Sequence, residues 1–541
     1  MERCEDAMTR GVDEAPKGRI PLSGGEMVTG RGALRDTKTS PLSTEPRDFD
    51  APLPASLRSL PSPRRGEGTP LRGSAQARIR AQFHLFRLRM QEIEKPVTRV
   101  GMISLGCPKN LVDSEIMLGQ LQGDTAMEIT NDMESADVVI VNTCGFIDAA
   151  KQESIDTILE AAGRKGRGLQ RLVVTGCMVQ KYRTEMQEAI PEIDAFVGLD
   201  HLDAISAAVL GLAESELAPV RKKMSVRLYE DLPRVLTNGV KSHAYLKVSE
   251  GCSNPCTFCA IPQMRGKFRS RTVDSLIAEA QSLERSGVKE LCLVAQDTTR
   301  YGQDLGLGQG LTGLVRRLLD ETGFEWVRFL YAYPGSLDWS LFELMGQEKR
   351  FASYCDIPLQ HVSSNVLGTM RRPGNSQQYR EMVTHMRDLV PDLSLRTTFI
   401  TGHPGERSAD FGELYDFVEW AQFDQMGAFV YSPEDGTPAG RMADLPTRRT
   451  AERRRAKLME LQQKISLSRN EARVGGVFDA IVTGVCEETE HLLEGRLISQ
   501  APEIDGRLLI NDGIEKIGEM PAFVRVEVTD AHPYDLVGGV V

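Results

Sequence analysis

The sequence lacks the segments that send proteins into or across membranes. No apolar run reaches the roughly 18 residues that a membrane-spanning helix needs. The first residues do not form a charged region followed by an apolar one, which is the pattern of a secretion signal. We therefore expect a cytoplasmic protein without a membrane span. A Ser-His-Asp arrangement and a phosphate-binding loop are also missing, so no competing enzyme class is indicated.

Cysteine is scarce, and positive charge is not in excess. Ten cysteines in 541 residues are too few for a disulfide framework. The formal net charge is -11, so the chain as a whole does not attract polyanions. A chain of this length predicts about three domains. Six of the ten cysteines follow apolar runs that resemble strands, and this placement favours metal binding or redox chemistry.

Residues 1–95 differ in composition from the rest of the chain. Proline, serine, glycine and arginine dominate, and no strong hydrophobic period is present. This composition predicts a disordered extension. A targeting segment is the alternative, but transit peptides are poor in acidic residues. The acidic residues that weigh against it are Glu2, Glu5, Asp6, Asp13 and Glu14.

Strand and helix patterns alternate from about residue 96. Strands are predicted at 99–105, 137–143 and 171–176, with helices at 111–121 and 147–163 between them. Such alternation is typical of a parallel sheet covered by helices. We assign residues 96–225 to this N-terminal α/β domain.

The alternation begins again after an irregular charged stretch and continues to a long charged helix. Six β/α units in roughly 200 residues predict a partial (β/α)6 barrel over residues 238–470, with its chemistry at the carboxyl ends of the strands. The predicted strands are 243–249, 289–296, 326–332, 354–359, 395–401 and 426–431. From residue 473 to 541 the pattern is all β, and its length suits a small five-stranded, OB-like barrel.

Three cysteines within the second domain have a spacing typical of iron–sulfur ligands. Cys252, Cys256 and Cys259 form a Cys-x3-Cys-x2-Cys motif. Three thiolates can bind three irons of a 4Fe–4S cluster and leave the fourth iron open. A zinc knuckle is the alternative, but no nearby His or Cys offers a fourth ligand. The motif therefore favours a cluster.

Three further cysteines follow the predicted strands of the first domain. Cys107, Cys144 and Cys177 are separated by 144 − 107 = 37 and 177 − 144 = 33 residues, about one β/α unit each. Parallel strands bring their carboxyl ends to one edge of the sheet, where such folds place their sites. A second cluster is predicted there, against the alternative of buried cysteines that only fill space. The other cysteines show no grouping: Cys4, Cys292, Cys355 and Cys486.

The Cys252 motif, with Phe258 before its last cysteine, resembles the signature of radical S-adenosylmethionine enzymes. The resemblance implies that the amino acid part of S-adenosylmethionine binds the open iron and that an electron from the cluster then cleaves the sulfonium. The protein's task in such chemistry is to hold and orient the cofactor. The basic segment that follows, residues 263–271, either contacts the cofactor or only begins a helix.

Two three-cysteine sites followed by a small β module resemble the methylthiotransferases over residues 96–541. The resemblance implies two 4Fe–4S clusters, of which the first-domain cluster carries sulfur, while the barrel makes a radical that removes hydrogen from the target carbon. It also implies that the last module is a TRAM domain that binds substrate, and that a donor such as flavodoxin or ferredoxin supplies electrons.

The family has two branches, and four segments of this chain resemble one of them. One branch modifies an adenosine of transfer RNA, and the other modifies the β-carbon of an aspartate in the twelfth small-subunit ribosomal protein. Similarity to the second branch lies at residues 104–115, 356–361, 370–374 and 530–537. Residues 474–541 contain 13 Asp and Glu and 4 Lys and Arg, so their net charge is 4 − 13 = −9. Because RNA binding depends on Lys and Arg, this module favours a basic protein partner.

A few residues after the barrel strands are weaker candidates for binding S-adenosylmethionine. They are Phe258, Gln296, Asp297, Gly402 and Glu406. Gln296 and Asp297 end a predicted strand, and Gly402 allows close approach of a ligand to the backbone or only a tight turn. His361 is interpreted as a structural histidine. His403 departs from the resemblance, since an aromatic residue is more usual at that position.

Overall fold

The computed structural model describes residues 97–123, 126–212, 228–230, 232–237 and 241–541. The disordered extension predicted for 1–95 lies outside the described residues, as do the domain boundaries predicted at 225 and 238. Within the described ranges, no helix has the length and apolar character that crossing a bilayer requires.

The first domain is built on a parallel sheet of five strands in the order β2-β1-β3-β4-β5. Its strands are β1 (Thr98–Ser104), β2 (Met127–Thr130), β3 (Val138–Thr143), β4 (Arg171–Gly176) and β5 (Ala195–Val197). Its helices are α1 (Pro108–Gln122), α2 (Asp148–Ala162), α3 (Cys177–Ala189) and α4 (Ile205–Leu210). The predicted parallel-sheet α/β domain is confirmed, and two short strands, β2 and β5, are added to the three that were predicted.

Helices cover both faces of this sheet because its central strands are apolar on both sides. Every residue of β3 is buried. One face packs against α1 and α4, and the other packs against α2 and α3. This two-sided burial is typical of parallel sheets, and it leaves the carboxyl edge of the sheet as the place where loops meet.

The second domain contains six parallel strands that follow each other in chain order. They form two groups, β6-β9-β10 and β11-β12-β13. A parallel bridge between Val327 and Phe351 links the two groups at β10 and β11. The strands are β6 (His243–Lys247), β9 (Glu290–Val294), β10 (Trp326–Phe329), β11 (Tyr354–Asp356), β12 (Ser394–Thr401) and β13 (Gln425–Val430), with a short antiparallel pair β7 (Ser249–Glu250) and β8 (Arg269–Ser270).

Helices lie between these strands and cover them. They are α5 (Ile261–Met264), α6 (Val273–Arg285), α7 (Gly310–Glu321), α8 (Trp339–Gln347), α9 (Ser364–Met370), α10 (Ser376–Leu389), α11 (Ser408–Ala421) and α12 (Arg448–Glu471). Single 3-10 turns occur at Met133–Ser135, Leu202–Ala204, Thr298–Arg300, Pro334–Ser336, Ala439–Arg441 and Ile514–Lys516. The predicted partial (β/α)6 barrel is confirmed.

The last module is a closed barrel of five strands in the order β14-β15-β16-β18-β17. The strands are β14 (Val477–Val485), β15 (Leu493–Leu497), β16 (Leu508–Asp512), β17 (Ala522–Ala531) and β18 (Leu536–Val540). Its interior is a separate apolar core. The predicted OB-like barrel is therefore confirmed as a closed five-stranded fold.

Residues 498–505, which connect β15 to β16, close the amino-terminal end of the second domain's barrel. We call them the mouth segment. Arg328 donates to the carbonyl of Ile498 (2.7 Å) and Arg396 to that of Ile504 (3.0 Å). The Tyr245 hydroxyl donates to a Glu503 carboxylate oxygen (3.0 Å). Three barrel strands thus bind this loop, and the other end of the barrel, where the strands finish, faces the first domain.

Buried ion pairs add to this contact. Glu290 at the start of β9 accepts from Arg328 (2.7 Å) and pairs with Arg496 of β15. Arg396 donates to Asp505 of the mouth segment (2.5 Å). The side chains of Glu290 and Arg328 are completely buried. The last module is therefore joined to the barrel by charges that water does not screen.

Candidate active site at the junction of the first two domains

The three first-domain cysteines lie at the carboxyl ends of neighbouring strands. Cys107 follows β1 and precedes α1, Cys144 follows β3, and Cys177 is the first residue of α3 after β4. Because β1, β3 and β4 are adjacent in the sheet, the three loops meet at one edge. The spacing of the cysteines along the sequence predicted loops at one edge of the sheet, and the three loops lie there; that the cysteines bind a cluster stays a prediction.

Close backbone packing brings these loops into contact. A Cβ atom added to Gly106 would lie 2.7 Å from Cys144 Cβ and 3.0 Å from Cys144 Sγ. A Cβ atom added to Gly145 would lie 3.3 Å from the carbonyl carbon of Cys177. Burial, together with the neighbouring Cys107 and Cys177, raises the pKa of the Cys144 thiol to about 12. Glycine is required on either side of the cysteines because side chains would separate the loops.

Asn110 in the first turn of α1 ties the cysteine loops together. Its Nδ2 atom donates to the carbonyls of Leu105 (3.1 Å) and Thr143 (2.9 Å), which end β1 and β3. Its Oδ1 atom lies 3.5 Å from Cys177 Sγ. Asn110 is completely buried. One side chain therefore satisfies polar atoms beside all three cysteines.

The barrel cysteines occupy the loop that follows β7. Gly251 begins this loop with φ of 78°, and a Cβ there would lie 2.3 Å from the carbonyl oxygen of Lys267. Burial raises the pKa of Cys259 to about 12 and that of Cys252 to about 11, and the neighbouring Cys256 acts in the same direction on both. All three thiols are free and partly buried. The loop therefore holds three thiols close together at the carboxyl end of the barrel.

A group of four buried charged residues lies between the two sets of cysteines. We call Asp113, Lys247, Glu250 and Arg265 the junction cluster. Arg265 donates to Asp113 (2.9 Å) and to both Glu250 oxygens (3.1 Å each), and Lys247 donates to Glu250 (2.9 Å) and to Asp113. Asp113 belongs to the first domain and the other three belong to the second. Two positive and two negative charges compensate each other here without water.

The junction also places positive charge beside Cys107. Burial acts to raise the pKa of its thiol, but the charges of Lys109 and Arg265 outweigh burial, so the pKa is lowered. The Lys109 ammonium lies 3.3 Å from the centre of the Tyr331 ring, which follows β10. Tyr331 has φ of 66°, a conformation that costs a residue with a side chain of order 1–3 kcal/mol. This contact joins the first domain to the carboxyl end of the barrel.

Gln296 and Asp297 lie where they were predicted, at the carboxyl end of β9. Asp297 accepts from Asn254 of the cysteine loop (2.8 Å), and burial raises the pKa of its carboxyl group. The Gln296 amide donates to Glu250 (3.3 Å), and its Oε1 atom is buried without a hydrogen-bond partner. Both residues therefore border the barrel cysteine loop, and their role in binding a cofactor stays a prediction.

Gly402 and Glu406 have structural partners beyond β12. A Cβ on Gly402 would lie 2.4 Å from Ala451 Cβ, so the close approach at this glycine is to helix α12. One Glu406 carboxylate oxygen accepts from the Gly402 backbone N–H and forms an ion pair with Arg454 (3.1 Å). Its other oxygen lies 3.7 Å from His361 Nε2, and neither atom has a hydrogen-bond partner. Their role in binding a cofactor stays a prediction.

Phe258 and His403 face each other across the carboxyl end of the barrel. Their ring centres are 6.2 Å apart at an angle of 85°, and His403 also packs against Tyr431 at 5.1 Å. Burial lowers the pKa of His403 to about 4, so its ring is neutral at neutral pH. His403 thus packs as an aromatic ring, which agrees with the aromatic residue expected there from the resemblance.

Each set of three cysteines offers thiol donors of the kind that bind iron–sulfur clusters. Among the described residues, no three His, Cys, Asp or Glu side chains converge at the distances that one ion requires. Thiolates that bind three different irons lie farther apart than thiolates that share one zinc. Unpartnered buried atoms, namely Gln296 Oε1, His361 Nε2, His403 Nε2 and Glu406 Oε1, lie at the same carboxyl end. A polar cofactor such as S-adenosylmethionine would satisfy atoms of this kind.

Comparison with known proteins gives the family. Residues 99–198 match Uncharacterized protein family UPF0004, residues 246–418 match the Radical SAM superfamily, and residues 474–541 match the TRAM domain. The chain is 46% identical over 492 residues to a relative from Koribacter versatilis named "Ribosomal protein uS12 methylthiotransferase RimO", covering 82% of this chain and 97% of that one. The chain belongs to the RimO family. A relative of the same name from Trichlorobacter lovleyi is 46% identical over 444 residues, covering 81% and 97%.

Solved structures of much lower sequence identity are also similar to part of this chain. The radical S-adenosylmethionine methyltransferase TsrM from Kitasatospora setae has a TM-score of 0.48 and 13% identity, covering 64% of this chain and 77% of that one. The RimO family gives the assignment at far higher identity.

The sequence did not reveal the residues of the junction cluster or the role of Asn110. Arg265 lies in the basic segment 263–271, whose function the sequence left open. Asn110 and Asp113 lie within the segment 104–115 that resembles the family. Both segments stood out in the sequence. The residues that bind Asn110 and Asp113, however, lie 134 to 155 residues further along the chain.

Proposed function

We propose that this chain transfers a methylthio group to the β-carbon of an aspartate in ribosomal protein uS12. The observation that carries the proposal is the junction itself, in which two cysteine triplets lie at the carboxyl ends of two parallel β systems. Identity of 46% to relatives named uS12 methylthiotransferases supports the same conclusion. Methylthiolation of transfer RNA is the alternative outcome of the tests below.

Each cysteine triplet holds one 4Fe–4S cluster in this proposal. Cys252, Cys256 and Cys259 hold the cluster of the barrel, and the first-domain cysteines hold the other. When bound, the clusters and S-adenosylmethionine supply reductive cleavage, hydrogen abstraction and the sulfur that replaces the hydrogen. The protein holds the thiolates in place, excludes water and keeps the two sites together through Arg265.

The substrate reaches the site from the carboxyl end of the barrel. The mouth segment closes the opposite end, with Ala501 only 2% exposed. Buried polar atoms at the carboxyl end belong to Gln296 and Glu406, which we propose contact S-adenosylmethionine together with Phe258, Asp297 and Gly402. A side chain of the ribosomal protein enters from the same side.

The last module contributes to the choice of partner. Its net charge of −9, from 13 acidic and 4 basic residues, favours a basic ribosomal protein over RNA. A small one-electron carrier such as flavodoxin or ferredoxin is proposed as the reductant. We place the reaction in the cytoplasm, where uS12 is made.

Iron content tests the two sites separately. The reconstituted chain is expected to hold about eight irons, from two four-iron clusters. Replacing Cys107, Cys144 and Cys177 together by alanine should leave about four. Cys355→Ala is the matched control, because Cys355 is completely buried in β11 and belongs to neither triplet. A content near four in the parent chain would contradict the second cluster.

A comparison of substrates tests the reaction. Reconstituted enzyme is incubated with S-adenosylmethionine, a reductant and either purified uS12 or transfer RNA, and each product is measured by mass spectrometry. We expect uS12 alone to gain a methylthio group in place of a hydrogen, and fragmentation to locate it on an aspartate. Gain by transfer RNA alone would replace the proposal with its alternative.

A further inference from the structure

Arg265 is the residue of the barrel that contacts a first-domain cysteine sulfur most directly. Its Nε atom donates to Cys177 Sγ at 3.3 Å, and its Nη2 atom donates to Asn110 Oδ1 at 2.5 Å. Arg265 directly follows α5, which begins two residues after Cys259. One short stretch of chain therefore carries a barrel cysteine at one end and a donor to the first-domain cysteines at the other.

The surroundings of Arg265 fix its direction. It is 1% exposed, and both of its Nη atoms are held by Glu250, Asp113 and Asn110. With both ends of the guanidinium bound, the remaining Nε–H points at Cys177 Sγ. A buried ion pair alone is weak grounds for stability, since apolar residues of similar size often serve as well. The contact with sulfur is what separates Arg265 from an ordinary buried arginine.

Arg271 shows what such an ordinary arginine looks like. It lies six residues later in the same basic segment and is 4% exposed. It donates to Glu279 (2.5 Å) and to Ser275 (2.7 Å), and its hydrogen bonds in the structure reach no cysteine. Arg271 is therefore a matched control for the effect of Arg265.

We propose that Arg265 is a positioning residue that sets the reduction potential of the first-domain cluster from the neighbouring domain. The inference rests on the proposed function, because it takes Cys107, Cys144 and Cys177 as cluster ligands. Hydrogen bonds to ligand sulfurs and nearby charge are two of the factors that set such potentials. A charged donor stabilises the more negative, reduced state, so Arg265 raises the potential.

The charges of the junction cluster determine whether each substitution raises or lowers the reduction potential. Arg265→Met with Asp113→Asn removes one charge of each sign and the hydrogen bond to Cys177, so the potential should fall. Asp113→Asn alone keeps Arg265 and removes a negative charge beside it, so the potential should rise. Opposite shifts from these two variants are the signature of a directed charge, and a general loss of packing would not produce them.

The test uses the full chain with Cys252, Cys256 and Cys259 replaced by alanine, so that a single cluster remains. Each variant is reconstituted, and its midpoint potential is measured by redox titration followed by electron paramagnetic resonance. Arg271→Met with Glu279→Gln is the control and should leave the potential unchanged. Circular dichroism and iron content establish that each variant is folded and holds about four irons.

The outcomes separate the inference from the function it rests on. A parent chain without iron contradicts the cluster assignment, and the inference with it. Four irons and an unchanged potential in both Asp113 variants would overturn the role of Arg265 and leave the proposed function standing. An equal fall in the Arg271 control would also overturn it. If the double variant does not bind iron, Arg265→Lys decides, because it keeps the charge and removes the Nε donor to Cys177: a fall in potential supports the inference and no change refutes it.

Discussion

Replacing Glu290 by glutamine should release the last module from the barrel. Glu290 lies at the start of β9 between Arg328 of β10 and Arg496 of β15, and the exposed fractions of the three side chains are 0%, 0% and 6%. Glutamine keeps the shape of the side chain and removes its charge. Two buried guanidinium groups then lose their carboxylate, and breaking a buried pair in this way costs about 3–5 kcal/mol.

An exposed pair in the same domain provides the control. Lys289 and Glu325 are 3.4 Å apart, with side chains 37% and 44% exposed. Exposed pairs contribute about 0–1 kcal/mol, so Glu325→Gln should have little effect on stability. Both variants remove one glutamate charge from neighbouring positions of the barrel and differ only in burial.

Hydrogen exchange in the mouth segment is the appropriate measurement, because a chain of several domains does not unfold in one step. A loss of about 3–5 kcal/mol raises the population of the open state by at least roughly a hundredfold. We expect the amides of residues 498–505 to exchange faster by about that factor in Glu290→Gln and to remain protected in Glu325→Gln. An acceleration of less than about threefold in the first variant would refute the reasoning, because buried pairs should cost kilocalories.

The ion pairs of Glu290 also predict how the stability of the fold depends on pH. Burial acts to raise the pKa of Glu290, but Arg328 and Arg496 outweigh it, so the pKa in the folded state is lowered. The pair therefore stabilises the fold above the pKa of an unfolded glutamate, about 4.3, and this stabilisation is lost as the pH falls further. Glu290→Gln should lose less stability than the parent between neutral pH and pH 3.

Three further substitutions test the site. Gly251→Ala places a Cβ 2.3 Å from the Lys267 carbonyl oxygen, so iron content should fall from about eight toward about four, whereas Gly368→Ala, with nothing within 4 Å, should leave it unchanged. His403→Phe keeps the ring but removes a group whose pKa is lowered to about 4, so the variant should escape a loss of about 2 kcal/mol that the parent suffers between pH 7 and 5, measured by hydrogen exchange of the surrounding amides. Asn110→Ala leaves two buried carbonyls unpaired and should cost about 1–3 kcal/mol in the same assay, and a cost near zero would contradict its role in joining the loops.

The architecture could be predicted because hydrophobic periodicity determines it locally. The predicted strand at 171–176 and the predicted helix at 147–163 match Arg171–Gly176 and Asp148–Ala162 to within one residue. The strands that escaped prediction, Met127–Thr130 and Ala195–Val197, are four and three residues long. Segments so short do not establish a period, and their pairing with the central strands is a tertiary effect.

The cysteines were predictable for a different reason. Parallel topology brings strand ends to one edge, so three cysteines one β/α unit apart had to meet once the sheet formed. Cys292 and Cys355 showed no grouping in the sequence, and both are completely buried within strands. Because these two cysteines lie inside strands and not after them, the sequence distinguishes them from the six candidate ligands.

The contacts between domains could not be predicted in the same way. Lys247 pairs with Asp113 across 134 residues, and Arg396 pairs with Asp505 across 109. No local period links such positions, because the choice between many acidic partners depends on the final packing. Gly402 illustrates the same limit, since its crowding neighbour proved to be Ala451 of a helix that begins 46 residues later.

The mouth segment gives the small carboxyl-terminal module a structural role in the barrel. Since its loop binds polar side chains of the barrel, removing residues 473–541 would expose Arg328, Arg396 and Tyr245 and take away the hydrogen-bond partners that the loop supplies. A truncated chain should consequently be less stable than the full chain, because these contacts and the ion pairs with Arg496 and Asp505 are lost. Exchanging this module between relatives would succeed only when the donor brings a loop of matching length and charge. The module thus closes one end of the neighbouring barrel, in addition to its proposed contact with the substrate.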